Sequence, residues 1–184
     1  KIIDLYKPLT ESAIRNYTHQ MLKGLAYLHK QKFIHRDIKA ANILLQQDKL
    51  GSLKLADFGT MAQLIDDPCF SWQGSILWFS PEVHRNRDYS EASDIWAIGC
   101  TVCEMITAQC PLVYNDPNVI KYSSMELYNR LMTTLSPIPN AQLFPITTEL
   151  ADFLKRCFAL NPKERASAEE LLQHPFMLKD YENS

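Results

Sequence analysis

Glycine is scarce in this sequence, and Gly24, Gly51, Gly59, Gly74 and Gly99 each stand alone, so no G-x-G-x-x-G stretch is present. A glycine-rich loop that cradles phosphates on its backbone amides is thereby excluded from these 184 residues. Positive charge is not in excess either. Nineteen basic and twenty-one acidic residues give a formal net charge of -2, without the broad positive field that non-specific nucleic-acid binding needs. No apolar run approaches the roughly 18 residues of a membrane span, and no charged-then-apolar leader resembles a signal peptide. The five cysteines, at 69, 100, 103, 110 and 157, form no regular framework, which argues against a disulfide-stapled secreted module. Cys100 and Cys103 form a C-x-x-C without a second ligand pair, inside "SDIWAIGCTVCEMIT", which reads as a buried helix rather than a metal or redox site. The expectation is a cytoplasmic (intracellular) domain with no membrane span and no nucleic-acid partner. Because the first residue is Lys1, the sequence is expected to be part of a longer chain.

What is present suffices for one sizeable core: 46% of the residues are hydrophobic, and the length suits a single domain. Thr10 is placed to cap a helix of about five turns, with Leu9 and Ile14 as its staple and Ile14, Tyr17, Met21, Leu25 and Leu28 along one face. The short apolar runs 43–45 and 53–56, separated by a segment containing Asp48 and Gly51, predict a hairpin. Residues 57–82 contain Gly59, Pro68, Gly74 and Pro81 and no clear period, so they read as a long loop of the kind that usually carries function. From Ser90 to about Thr107 the sequence is apolar almost all round, predicting a helix at the centre of the domain. Further helices are expected at about 124–133, 147–158 and 167–174, the last opened by a Ser167-x-x-Glu170 capping box.

Between the first helix and the hairpin lies "FIHRDIKAANILL", residues 33–45, which packs five polar side chains between apolar runs. Asn42 and Asp57 offer the oxygen donors that Mg²⁺ prefers, and the hairpin between them can bring both to one place. Asp37 adds a carboxylate to the same stretch, and Lys39 sets a compact positive charge two residues away. In order along the chain, "HRDIKAAN", "DFG" at 57–59, "SPE" at 80–82, "SDIWAIGC" and "NPKERASAEELLQHPF" resemble the eukaryotic protein kinases over essentially the whole sequence. Ser80 replaces the usual Ala of the A-P-E motif.

The resemblance implies a fold that is mainly α with a small β-hairpin, the C-terminal lobe of the bilobal kinase fold, which is α+β overall. Residues 1–184 would be that lobe, with the N-terminal ATP-binding lobe lying outside them. It also implies ATP and Mg²⁺ as cofactors and transfer of the γ-phosphoryl group to protein hydroxyls. Asp37 and Lys39 would be catalytic, Asn42 and Asp57 would hold metal, and Leu44 would join Lys39, Asn42 and Asp57 in binding ATP. Arg36 would be regulatory, pairing with a phosphate on the 57–82 segment, for which Ser71 and Ser75 are candidates. Structural support would come from His35 packed against Phe58, from Asp94 holding the catalytic-loop backbone, and from an ion pair of Glu82 with Arg165. Thr60, just after D-F-G, would bias the acceptor toward threonine.

Lys39 in this loop resembles the serine/threonine pattern. "HRDIKAANILL", "GSILWFSPEV" and "LTESAIRNYTHQMLKGLAYLH" are most similar to the mitogen-activated protein kinase kinase kinases. Protein substrates, among them downstream kinases, are the partners that this implies; oligomeric state stays open. The segment "CPLVYNDPNVIKYSSMELYNRL" departs from the family's usual Pro-Pro-Trp pattern. A pseudokinase or scaffold acting by protein binding is the alternative, disfavoured by the presence of Asp37, Asn42 and Asp57 together. With no glycine-rich loop and no β-strand lysine of that family, residues 1–184 by themselves are not expected to be catalytically competent.

Overall fold

The computed structural model describes residues 8–46, 52–57, 59, 62–63 and 76–178. Its first element is α1, Glu11–Lys30, whose start is fixed by Thr10: the Ala13 amide donates to Thr10 Oγ1 at 3.3 Å. Ile14, Met21, Leu22 and Leu25 form its fully buried stripe, with Tyr17 and Leu28 half-buried beside it. Each such side chain contributes about 1.5–3 kcal/mol of burial. The helix feeds a short strand, β1 (Phe33–Ile34), through Lys32 in the left-handed region at φ 63°. A 3₁₀ turn at Ala40–Asn42 leads into the expected hairpin of β2 (Ile43–Leu45) and β3 (Leu53–Leu55), paired antiparallel with Ile43 opposite Leu55.

Two features go beyond the expected single hairpin and long loop. A second antiparallel pair joins β1 to β4 (Ala62–Gln63), bringing Phe33 opposite Gln63. At the far end of the 57–82 segment a 3₁₀ turn at Ile76–Trp78 precedes a six-residue helix, α2 (Pro81–Asn86), which starts with proline in its first turn. A six-residue helix is too short to show a helical period, and two-residue strands are defined by their partners, so neither was visible in the sequence.

The axis of the fold is α3, Glu91–Thr107, in which every residue from Ser93 to Thr107 is buried. Its first turn is closed by Ser93, whose hydroxyl donates to the Ser90 carbonyl at 2.7 Å and accepts from the Ser90 amide at 3.0 Å. Around it pack α1, α5 (Thr148–Cys157) and the Ile76–Trp78 turn, while α4 (Ser124–Thr133) packs on α2. The expected 167–174 helix is α6 (Ala168–Leu172), and a further short helix not expected from the sequence, α7 (Pro175–Leu178), follows it as a separate element, because Pro175 cannot continue the hydrogen-bond ladder. Gly99 lets α5 and the residue after it approach α3: a Cβ there would lie 2.8 Å from two Phe158 ring atoms and 2.9 Å from Cys157 Cβ. Cys100 and Cys103 point into this core, as a buried helix requires. No helix among the described residues is long and apolar enough to cross a membrane.

Candidate active site

The loop from His35 to Asn42 is held from below by one carboxylate. Asp94, 1% exposed in α3, accepts from the His35 amide and the Arg36 amide, each at 2.8 Å, and from His29 Nε2 at 3.0 Å. Three donors replace the water that a buried carboxylate loses. They also fix a turn the chain would not otherwise keep, since Arg36 sits in the left-handed region at φ 69°, a conformation that costs a non-glycine residue about 1 kcal/mol or more. His29 was not foreseen; it ends an amphipathic helix, and only the tertiary fold turns it toward Asp94.

On the turn so fixed, Asp37 is buried and its carboxylate is gripped on both sides. Lys39 Nζ donates to Oδ2 at 2.7 Å and to Oδ1 at 3.0 Å, and Asn42 Nδ2 donates to Oδ2 at 2.7 Å and to the Asp37 carbonyl at 2.9 Å. An ionised carboxylate only accepts, so the Asn42 amide nitrogen must face Asp37, which leaves Asn42 Oδ1 for another partner. The hairpin then returns the chain to this place: the Ala56 amide donates to the Asn42 carbonyl at 2.9 Å, and the next residue is Asp57, exposed and left-handed at φ 63°. Asn42 Oδ1 and the Asp57 carboxylate form a hard-oxygen donor pair too sparse for an all-protein metal cage. No cluster of three His, Cys, Asp or Glu suited to a metal exists among the described residues. That set fits Mg²⁺, which is usually held by one or two protein oxygens together with substrate phosphates.

His35 is fully buried, and its Nδ1 accepts from the Asp37 amide at 3.4 Å. Burial lowers its pKa below the usual histidine value, against the raising influence of Asp94 and Asp37, which favours the neutral ring whose Nδ1 takes the Asp37 amide. The Arg36 guanidinium lies over the Tyr89 ring, 5.5 Å from its centroid. Leu44 is exposed on the hairpin, between Ile43 and Leu45, whose side chains turn inward. The chain departs for the rest of the domain through α2, which a bidentate pair fastens. Arg165 donates to Glu82 Oε1 at 2.7 Å and Oε2 at 3.0 Å, and further to the carbonyls of Ala92 at 2.8 Å and Ala159 at 3.0 Å. Phe58, Thr60, Ser71 and Ser75 lie outside the described residues.

One carboxylate near the site was missed. Glu104, in α3, accepts from the Ala40 amide at 3.2 Å and from Trp78 Nε1 at 2.8 Å, both on Oε2. Burial pushes its pKa up to about 7, moderated by those two bonds and by Lys39. The signal was available, since an acidic residue in a helix apolar all round has to be satisfied by something from outside it.

The family model of the protein kinase domain matches residues 1–177. A probable serine/threonine-protein kinase of Dictyostelium discoideum is 41% identical over 99% of this chain, which covers 27% of that protein. The mitogen-activated protein kinase kinase kinase ANP1 of Arabidopsis thaliana is 37% identical over 100% of the chain and 27% of its own length. For the serine/threonine-protein kinase STE11 of Saccharomyces cerevisiae the values are 40%, 96% and 24%. The chain thus spans about a quarter of the length of these curated relatives. With a matched domain that holds the His35–Asn42 loop, Asp57, the Glu82–Arg165 pair and the central α3, the chain belongs to the protein kinase domain family.

Proposed function

We propose that residues 1–184 are the C-terminal lobe of an active serine/threonine protein kinase of the mitogen-activated protein kinase kinase kinase type, which works in the cytoplasm and phosphorylates proteins, downstream kinases among them. The observation that carries this is the Asp37 carboxylate held between Lys39 Nζ and Asn42 Nδ2, on a loop anchored by Asp94. Phosphoryl transfer asks mainly for positioning and charge neutralisation, and these residues supply both. Asp37 accepts the hydrogen of the acceptor hydroxyl and aims its oxygen. Lys39 sets positive charge where the transferring phosphoryl group spreads its negative charge. Asn42 Oδ1 and Asp57 would hold Mg²⁺, which when bound with ATP neutralises charge on the phosphate chain. Leu44 offers an apolar surface to the base, from the side on which the other lobe closes the nucleotide site.

Acceptor choice is assigned to Thr60 and Ala41. The β-branched Thr60 presents a stiff surface on which the extra methyl of threonine packs, giving a several-fold to about tenfold preference over serine. Ala41 stands where an acidic residue would be needed to hold an upstream arginine, so little selection for arginine is expected. Arg36 receives a phosphate placed on Ser71 or Ser75. The test is a two-lobed protein containing this segment, given ATP and Mg²⁺ and paired peptides that differ only in Ser or Thr as acceptor. Magnesium-dependent transfer to both, faster to threonine, is expected. No transfer by the intact protein refutes the kinase reading, and equal or serine-favoured rates refute the role of Thr60 alone.

A further inference from the structure

The segment between α3 and α4, where the sequence departs from the family's Pro-Pro-Trp pattern, is built round one carboxylate. Asp116 accepts from the Asn118 amide at 2.9 Å and from the Tyr122 hydroxyl at 2.8 Å. Arg130 of α4 completes the clasp, with Nη1 3.9 Å from Asp116 Oδ2 and its guanidinium 4.2 Å from the Tyr122 ring centroid. A 3₁₀ turn, Pro117–Lys121, is thereby tied to α4, and its Ile120 is 69% exposed. α4 itself has two apolar faces. Leu127 and Leu131 are buried in the domain, whereas Met125 and Met132 are 52% and 42% exposed. At 3.6 residues per turn the two methionines lie within about 20° of each other round the helix and about 130° from the leucines. Half-buried Tyr128 adjoins the methionine face, with the Arg85 guanidinium 5.7 Å from its ring centroid.

The buried leucines already hold α4 in the fold, so the methionine face is free to serve a partner, and methionine adapts its shape to what it meets. The rim of that face is basic: Arg85, Lys121 and Arg130 are exposed, and Glu126 is the one acidic residue of α4. A second copy of this chain would bring like charges together. Two methionines and an isoleucine also fall far short of the roughly 800 Å² per partner that a stable complex buries. Both features suit a transient, acidic partner. The face is fixed relative to the active site. His84 Nδ1 of α2 is hydrogen-bonded to Ser124 Oγ of α4 at 2.8 Å, Arg165 ties Glu82 of α2 to the Ala92 carbonyl of α3, and Asp94 of α3 holds the catalytic loop.

We propose that the Met125–Met132 face of α4, with Ile120 on the adjoining turn and a basic rim, docks the protein acceptor through a segment whose apolar side chains are flanked by Asp or Glu, apart from the residues that enter the active site. The proposal rests on the kinase reading above and names what the site selects: protein acceptors over short peptides.

The experiment compares the two-lobed protein with a double variant, Met125→Glu with Met132→Glu, with the apolar control Met125→Leu with Met132→Leu, and with Arg85→Ala. The acceptors are a mitogen-activated protein kinase kinase, made inactive at its own catalytic aspartate, and a short peptide copied from its phosphorylated segment. The double glutamate variant should raise KM for the protein acceptor about tenfold or more, with kcat, KM for the peptide and KM for ATP within about twofold of the wild type. Arg85→Ala should give part of that rise, and the leucine control little of it. An equal rise in KM for the peptide, or an unchanged KM for the protein acceptor in the folded double glutamate variant, overturns the proposal. Binding of the inactive acceptor without ATP, followed by biolayer interferometry, does not depend on turnover. Binding that weakens with added salt, is lost with the glutamates and is kept with the leucines supports the surface. No binding by the wild type, or equal binding by every form, overturns it. Self-association of the wild type that the glutamates abolish, read by sedimentation, overturns it in favour of a second copy. If the wild type transfers phosphate to neither acceptor, the kinase reading fails while the binding measurement still decides the surface.

Discussion

Replacing Glu104 by Gln should make the protein progressively more stable, relative to the wild type, as pH rises from 5 to 8. Glu104 has its pKa pushed from the usual 4.5 to about 7 by burial, with the Ala40 amide, the Trp78 indole and Lys39 pulling it back down. Between those two values the folded protein holds a proton that the unfolded chain has released. Stability from this group is therefore fully present below about pH 4.5 and is lost as pH climbs through about 7. At about 1.36 kcal/mol per pKa unit, the loss between pH 5 and pH 8 is about 2–3 kcal/mol. The wild type alone hides much of this. Buried His84, with its pKa lowered to about 4, has the opposite slope and adds stability as pH rises from 4 to 6.5. Comparison of the two proteins cancels His84, because it is common to both. The assay is urea unfolding of the two-lobed protein followed by tryptophan fluorescence, to which Trp78 and Trp96 report from this region. A stability difference that moves by about 2–3 kcal/mol toward Glu104→Gln between pH 5 and pH 8 is expected. Curves that stay parallel within about 0.5 kcal/mol would show that Glu104 is ionised normally and would refute the reasoning.

Other substitutions probe the frame around the site. Glu82→Ala leaves the Arg165 guanidinium, whose side chain has no exposed surface, without its counter-charge, and should destabilise by about 3 kcal/mol or more, seen as a fall in the urea midpoint. Gly99→Ala brings a methyl to 2.8 Å from the Phe158 ring and should lower stability by about 1–3 kcal/mol in the same measurement, through forced separation of α3 from the chain following α5. Ser80→Ala should raise stability by about 1 kcal/mol, since the fully buried Ser80 hydroxyl has no hydrogen-bond partner among the described residues; a clear loss would reveal a role for that oxygen.

Helices that begin with a capping side chain and carry an apolar stripe were legible, as α1 behind Thr10 and α6 behind Ser167 show. So was the central position of α3, because a run without a polar face has no side to turn to solvent. The β1–β4 pair and α2 were not, since their stability comes from neighbours far away in sequence rather than from a local period. At the site, Asp37, Lys39, Asn42 and Asp57 could be singled out because their chemistry is concentrated in a short stretch and one hairpin, and the structure hydrogen-bonds the first three to one another. Of the two buried carboxylates in α3, Asp94 was recognised as needing partners, yet His29 as one of them was hidden by a separation of 65 positions along the chain. Glu104 carried the same signal, and the indole of Trp78 gave no hint in the sequence that it would end on that oxygen.

The role of Asp37 is tested most directly by phosphate transfer from ATP to a protein acceptor, measured on the two-lobed protein with Asp37 and with Asp37→Asn. Melting temperature and ATP affinity are recorded for both, so that a folding defect is separated from a chemical one. Loss of the group that accepts the hydroxyl hydrogen should slow transfer by about 10²-fold or more, with melting temperature and ATP affinity nearly unchanged. A purified Asp37→Asn protein that transfers phosphate within about twofold of the wild-type rate would contradict the assignment of this loop to catalysis.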